Sequence, residues 1–210
     1  MGMMELRRRV LDSQPYIFLD HVVGTGYKSR IDTGIMGNNN SLSFDFCLTW
    51  HEYNAWQGCF GNYVNEDTNA WRLVISSTNG RLIYNSNGKA GASWALVPGI
   101  DSLEGKKIKA HIGFLTATVT IDDKTVTDTR TNRTMGTVNT DNIAIGSPNV
   151  TNDSNSTRKI TWYYFRAYDN GVLIRDYRPC MRRSDGKYGF FEMISKTFCP
   201  SIGTVDFTAD

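Results

Sequence analysis

The sequence predicts an all-β fold: a two-sheet antiparallel jelly-roll sandwich with a short N-terminal arm. Three observations carry this. Residues 42–50 alternate strictly, with Leu42, Phe44, Phe46, Leu48 and Trp50 on one face and Ser43, Asp45, Cys47 and Thr49 on the other. That period specifies an antiparallel strand with one face in a core. Short runs of the same kind recur along the chain, separated by Gly-, Asn- and Asp-containing turns and without helical crossovers. Residues 159–198 read as strand, tight turn, strand, loop and hairpin. Their turn, Asp169-Asn170-Gly171, supplies residues that tolerate positive φ, which a turn matching strand twist requires.

The elements follow in order. Residues 3–13 hold the one helical pattern. It is short and basic, weak alone, and Pro15 stops it. Residues 1–15 therefore read as an arm, and residues 16–210 as one domain. Strands are expected at 16–19 and 27–34, then a loop at 37–40, then the alternating strand at 41–50. Further strands are expected at 58–63, 71–76, 81–84 and 93–97. In 106–114, Ile108, Ala110, Ile112 and Phe114 face inward, and Lys107, Lys109 and His111 face outward. Ala117, Val119 and Ile121 alternate again, Asp122-Asp123 turns the chain into 124–129, and 142–146 is a short strand. Residues 151–157 form a polar loop. The chain shows no internal repeat.

Composition narrows the function classes. At 210 residues, with 40% apolar and 12% aromatic residues, the chain can bury an independent core heavy in rings. The formal net charge is only +2, and the basic runs Arg7-Arg8-Arg9, Lys106-Lys107 and Arg182-Arg183 are interspersed with acids. Nucleic-acid binding needs a concentrated basic face, so it is not expected. Cys47, Cys59, Cys180 and Cys199 form no CxxC pair, so no zinc site is expected. The first residues lack the apolar core of a secretory signal, and no segment is apolar for long enough to span a membrane. The even count of four cysteines would allow disulfides, but without such a leader reduced thiols and synthesis in a cytoplasm are the expectation.

Three segments resemble a known family. Residues 24–35, GTGYKSRIDTGI, resemble the GTQYIDTGI-type opening of laminin-G-like, concanavalin A-like domains in bacteriophage and prophage virion proteins. Residues 41–50 resemble their first core strand. Residues 159–198 resemble their closing pattern, an aromatic strand, DNG, VLIRDY-PC and a SDGKYGFFE hairpin. Residues 5–11, ELRRRVL, also resemble the start of such proteins in phages of gut Bacteroidetes, including crAss-like phages. The resemblance implies a concanavalin A/laminin-G-like sandwich in a virion, assembled in the host bacterial cytoplasm. It implies a non-enzymatic capsid auxiliary (decoration) or head-fibre component with capsid or other virion subunits as partners. The chain lacks the heptads or repeated strands of a long tail fibre. The alternative is a carbohydrate-binding adhesion module of a phage tail or surface protein, with a host surface glycan as partner.

Glycoside hydrolysis needs a pair of carboxylates, and glucanases of this fold class carry an ExDxxE strand. None of Glu5, Glu52, Glu66, Glu104 and Glu192 begins that motif. His21, His51 and His111 sit in no triad motif, and His111, outward on its strand, is expected to be solvated. Gly24-Thr25-Gly26 lacks the following GKS/T of a phosphate loop. The loop 149–155 offers hard oxygen ligands, but such loops serve as plain turns, so no metal and no cofactor is expected. Two sites remain. Leu6, Arg7, Arg8, Arg9 and Val10 of the arm can dock on an acidic, partly apolar partner groove, where arginine forks engage carboxylates. Tyr53 and Trp56 are loop rings that serve either core or interface packing or a glycan-stacking platform, whereas Trp50 belongs to the core by its strand phase.

Overall fold

The computed structural model describes residues 14–25, 28–51, 57–75, 82–89, 95–96, 103–129, 134–148 and 159–209. The arm helix expected over residues 3–13 lies outside them. In chain order the strands are β1 (Tyr16–Phe18), β2 (Val22–Thr25), β3 (Ile31–Met36), β4 (Leu42–Trp50), β5 (Gln57–Gly61), β6 (Asn69–Ile75), β7 (Leu82–Lys89) and β8 (Ala95–Leu96). They continue with β9 (Lys107–Gly113), β10 (Thr116–Ile121), β11 (Lys124–Thr129), β12 (Asn142–Ile145), β13 (Lys159–Asp169), β14 (Val172–Arg182), β15 (Tyr188–Glu192) and β16 (Thr197–Pro200). No α-helix occurs among the described residues.

The fold is the expected all-β sandwich of two antiparallel sheets. The ten-stranded sheet runs β11-β10-β9-β4-β13-β14-β15-β16, with β1 on β14 and β2 on β13. The six-stranded sheet runs β3-β12-β5-β6-β7-β8. β4 supplies the centre of the core. Its alternating residues Leu42, Phe44, Phe46, Leu48 and Trp50 are all buried. Phe44 meets Phe60 and Trp71 of the opposite sheet at ring-centroid distances of 5.4 Å and 5.2 Å. Phe165 of β13 stacks on Phe46 at 5.9 Å. Each such buried ring contributes about 2 kcal/mol of apolar transfer. The turn between β13 and β14 is formed by Asn170 (φ 48°) and Gly171 (φ 77°), the left-handed pair that lets two long strands return with matching twist.

Two expectations are corrected. A strand was expected over 27–34, but β2 ends at Thr25, residues 28–30 lie outside any strand, and β3 begins at Ile31. The cause is the C-terminal segment, which crosses here. Ile202 donates to the Arg30 carbonyl (2.8 Å) and Val205 to the Lys28 carbonyl (3.0 Å). The Ser29 hydroxyl accepts from Thr25 N (3.0 Å) and donates to the Asp206 carbonyl (3.2 Å). Gly203 permits the crossing, because a Cβ there would lie 2.0 Å from the Lys28 oxygen. The second correction concerns β4. Cys47 and Thr49, expected on its polar face, are 0% and 5% exposed. They stand opposite Lys109 and Lys107 of β9 and opposite Tyr164 and Thr161 of β13, long or branched residues that cover them.

Candidate binding surface

The outward face of the ten-stranded sheet carries a row of ionisable side chains. Strand register places His111 opposite Asp45, Asp45 opposite Arg166, and Arg166 opposite Asp176. Charges therefore alternate in sign across β9, β4, β13 and β14, the favourable cross-strand arrangement. His111 Nδ1 is bonded to Asp45 Oδ1. The hydrogen bond to Asp45 raises the His111 pKa against partial burial. Burial alone would raise Asp45, but the bond and charge of His111, with help from Tyr168 and Arg166, hold it below the ordinary carboxylate value. His111 is exposed on the outward face, as expected, and there it also gains a carboxylate partner. Register delivers it to a carboxylate that sequence spacing does not show. Asp176 accepts from Arg166 Nε (3.2 Å) and, bidentately, from Arg178 Nε (2.8 Å) and Nη2 (3.0 Å).

Beside this row the sheet forks. The pairing of β13 with β14 runs from the turn up to Phe165 opposite Tyr177 and stops there. Beyond that point β13 pairs with β2, through Lys159 to Trp162, and β14 pairs with β1, through Cys180 to Arg182. A bulge lies at the fork. Trp162 pairs with Leu48 and Tyr164 with Cys47, so Tyr163 is the extra residue. The bulge sends both tyrosines outward while Trp162 and Phe165 remain in the core. Lys107 Nζ lies 3.8 Å over the Tyr163 ring, and Arg166 lies 5.0 Å from the Tyr164 ring centre. On the other branch Pro179 has no N–H to give a ladder. Its carbonyl accepts from Leu19 N (2.9 Å), in the link between β1 and β2 that bridges the fork.

The fork leaves a hollow of about 430 Å³ lined by Phe18, Asp20, Tyr163, Arg178 and Met193 among others. A second, more apolar hollow of about 580 Å³ lies on the far side of Phe18, against Tyr16, Arg183, Phe191 and Met193. Both volumes fall in the range of ligand clefts. The apolar hollow rests on a small separate cluster of Cys180, Phe191 and Phe198, packed by Tyr16 and Met193. Phe18 is 54% exposed on the ridge between the two.

Every described carboxylate with a resolved shift, Asp45, Asp67, Asp185 and Glu192, is held below its ordinary value. None is thereby prepared as a general acid. Glu192 accepts backbone hydrogen bonds from Asp176, Ile194 and Ser195 and so closes the β15–β16 turn. The thiols move the other way, with burial pushing Cys180 to about 12 and Cys199 to about 11. His51 Nε2 is bonded to Thr161 Oγ1 at 2.7 Å, far along β4 from Asp45. Among the described residues there is no cluster of three or more His, Cys, Asp or Glu side chains able to hold a metal. No described helix is long and apolar enough to cross a membrane.

The residues singled out from sequence, Leu6, Arg7, Arg8, Arg9, Val10, Tyr53 and Trp56, lie outside the described residues, as does the loop 149–155. The sequence reading missed Phe18, Asp20, Tyr163 and Arg178. Two signals pointed to them: the unbroken aromatic run at 162–165, too bulky for strict alternation into one core, and Pro179 inside an otherwise strand-like stretch.

No protein-family model matches the chain, and no curated protein matches it. Solved structures do. Domains LG4-5 of the mouse laminin α1 chain are similar at 14% identity and a TM-score of 0.44, over 75% of this chain and 44% of that one. A xylan β-1,4-xylosidase from Bacillus halodurans is similar at 12% identity and a TM-score of 0.41, over 71% of this chain and 33% of that one. A family 18 polysaccharide lyase is similar at 10% identity and a TM-score of 0.34, over 71% and 76%. The chain thus spans less than half the length of the first two. At these identities and scores no activity transfers.

Proposed function

We propose that this chain is a non-enzymatic virion protein, a capsid auxiliary (decoration) or head-fibre component, attached to the particle through its N-terminal residues. The observation that carries this reading is the position of Gln14. It precedes β1, which is paired to β14, and it lines the apolar hollow together with Pro15, Tyr16, Phe18, Phe191 and Met193. The chain therefore enters the described domain at Gln14, beside an apolar recess of the kind a docking interface uses. The non-enzymatic part of the reading is supported by Asp45, Asp67, Asp185 and Glu192, whose carboxyls are held below their ordinary values, and by thiols that burial keeps neutral. The resemblance of residues 24–35 and 159–198 to virion proteins supports the location, with capsid subunits as partners and assembly in the host cytoplasm. A subunit that binds only the folded domain also stabilises it by mass action.

A chain lacking residues 1–13 tests this. It is expected to fold with a cooperative melt and to be missing from assembled particles. Normal incorporation would overturn the attachment.

A second reading, a carbohydrate-binding adhesion module, is favoured by one feature, the fork hollow with its exposed ring and uncommitted polar groups.

A further inference from the structure

We propose that the hollow at the fork between β13 and β14 is a subsite for a neutral saccharide; this rests on the adhesion reading above and assigns it to residues other than Tyr53 and Trp56. Phe18 forms one wall. Its ring meets Phe191 edge-on at 5.8 Å and 89°, and more than half of the residue is exposed. An exposed ring held edge-on by a neighbour is a platform for the apolar face of a pyranose. Tyr163 forms the facing wall, fixed by Lys107 over its ring and by His21 at 5.8 Å. Its hydroxyl makes no hydrogen bond to a described residue.

The polar groups are of the kinds that read hydroxyls. Asp20 is exposed and its carboxylate has no partner among the described residues, so it can accept from two adjacent hydroxyls. Arg178 spends Nε and Nη2 on Asp176 and leaves Nη1 uncommitted as a donor. Because its guanidinium is fixed by that bidentate pair, the donor is preorganised and little side-chain entropy is lost on binding. Asp20 disfavours an anionic ligand, and Arg178 is paired with Asp176, which it shares with Arg166. The backbone of the site is pinned by the Leu19-to-Pro179 hydrogen bond. The site therefore exists before a ligand arrives.

The test is isothermal titration of the full chain with maltohexaose, cellohexaose, xylohexaose and chitohexaose. Wild-type protein is expected to bind at least one of them. Losing a hydrogen bond to a charged group weakens binding about tenfold or more, so Asp20→Asn is expected to show that loss. Phe18→Ala should show a similar loss, and Tyr53→Ala with Trp56→Ala should show none. Asp20 is exposed, so Asp20→Asn reads the site even if Phe18→Ala lowers solubility. Wild-type binding that survives both Phe18→Ala and Asp20→Asn would overturn the subsite and leave the adhesion reading standing. Wild-type protein that binds none of the four sugars would overturn both.

Discussion

Tyr163 of β13 and Pro179 of β14 face each other across the point where the two strands part, and both line the hollow between them. Each breaks the ladder in its own way. Tyr163 is an inserted residue without a cross-strand partner on β4, and Pro179 has no N–H to donate. A sheet that must turn its edge partners from one strand to two needs such interruptions, and here they also shape a recess.

The phase of the bulge makes the first prediction. Tyr163→Ala removes an outward ring and its cation–π contact, worth about 1 kcal/mol. Phe165→Ala, two residues on, removes a fully buried ring that touches Phe44, Phe46 and Phe60, and should cost about 3–5 kcal/mol. Urea denaturation of the two variants measures the difference. Equal losses would place Tyr163 in the core and remove the bulge.

Asp176 is the most heavily used carboxylate of the outer row. Its side chain is only 13% exposed and serves two arginines. Asp176→Ala leaves Arg166 and Arg178 without their shared partner, and the expected loss is about 2 kcal/mol, between that of an exposed and a fully buried pair. Asp176→Asn keeps one acceptor oxygen and should cost less. A loss below about 0.5 kcal/mol for the alanine variant would make the row ornamental surface charge.

The His111–Asp45 pair carries a pH dependence whose sign is set. His111 is raised above its ordinary 6.5, so its contribution is fully present below 6.5 and disappears as pH climbs through the higher folded value. Asp45 lies below its ordinary 3.8, so its contribution is present above 3.8 and disappears as pH falls through the lower folded value. The two describe one bond, which matters most between those limits. Both groups are partly exposed, so the bond is worth about 0.5–1 kcal/mol. Asp45→Asn should lower the His111 pKa seen by NMR titration and destabilise the protein at pH 5–6 more than at pH 9. An unchanged His111 titration would contradict the contact.

The thiols should be inert in the native state. Burial raises all four, Cys47, Cys59, Cys180 and Cys199, and the thiolate is the reactive form. At pH 8 an aromatic disulfide reagent is expected to label the native protein very slowly and to label four thiols rapidly in denaturant. Rapid native labelling of one cysteine would identify an activated thiol and reopen the question of catalysis.

Strand periodicity made most of the fold legible. Alternation in residues 42–50 and 106–121 is local, and one buried face writes it directly into the sequence. The 170–171 turn was legible because few residues tolerate its backbone. What the sequence hid was long-range. Nothing near residues 28–30 shows that the segment 201–208 will cross them, and nothing near His111 shows that Asp45 will lie opposite. The fork hollow draws on Phe18, Asp20, Tyr163 and Arg178, from three distant stretches, so no local motif could announce it. A continuous run such as Trp162-Tyr163-Tyr164-Phe165 reads as a strand whether or not it is bulged.

Cryo-electron microscopy of particles purified from cells that produce this chain tests the central claim most directly. The account predicts the sandwich docked by its β1 edge, with the Tyr16–Phe191 hollow against a neighbouring subunit and the Asp20–Tyr163 hollow open to solvent. A particle that holds the domain by its six-stranded sheet, with the β1 edge facing outward, would contradict it, as would particles from which the chain is absent.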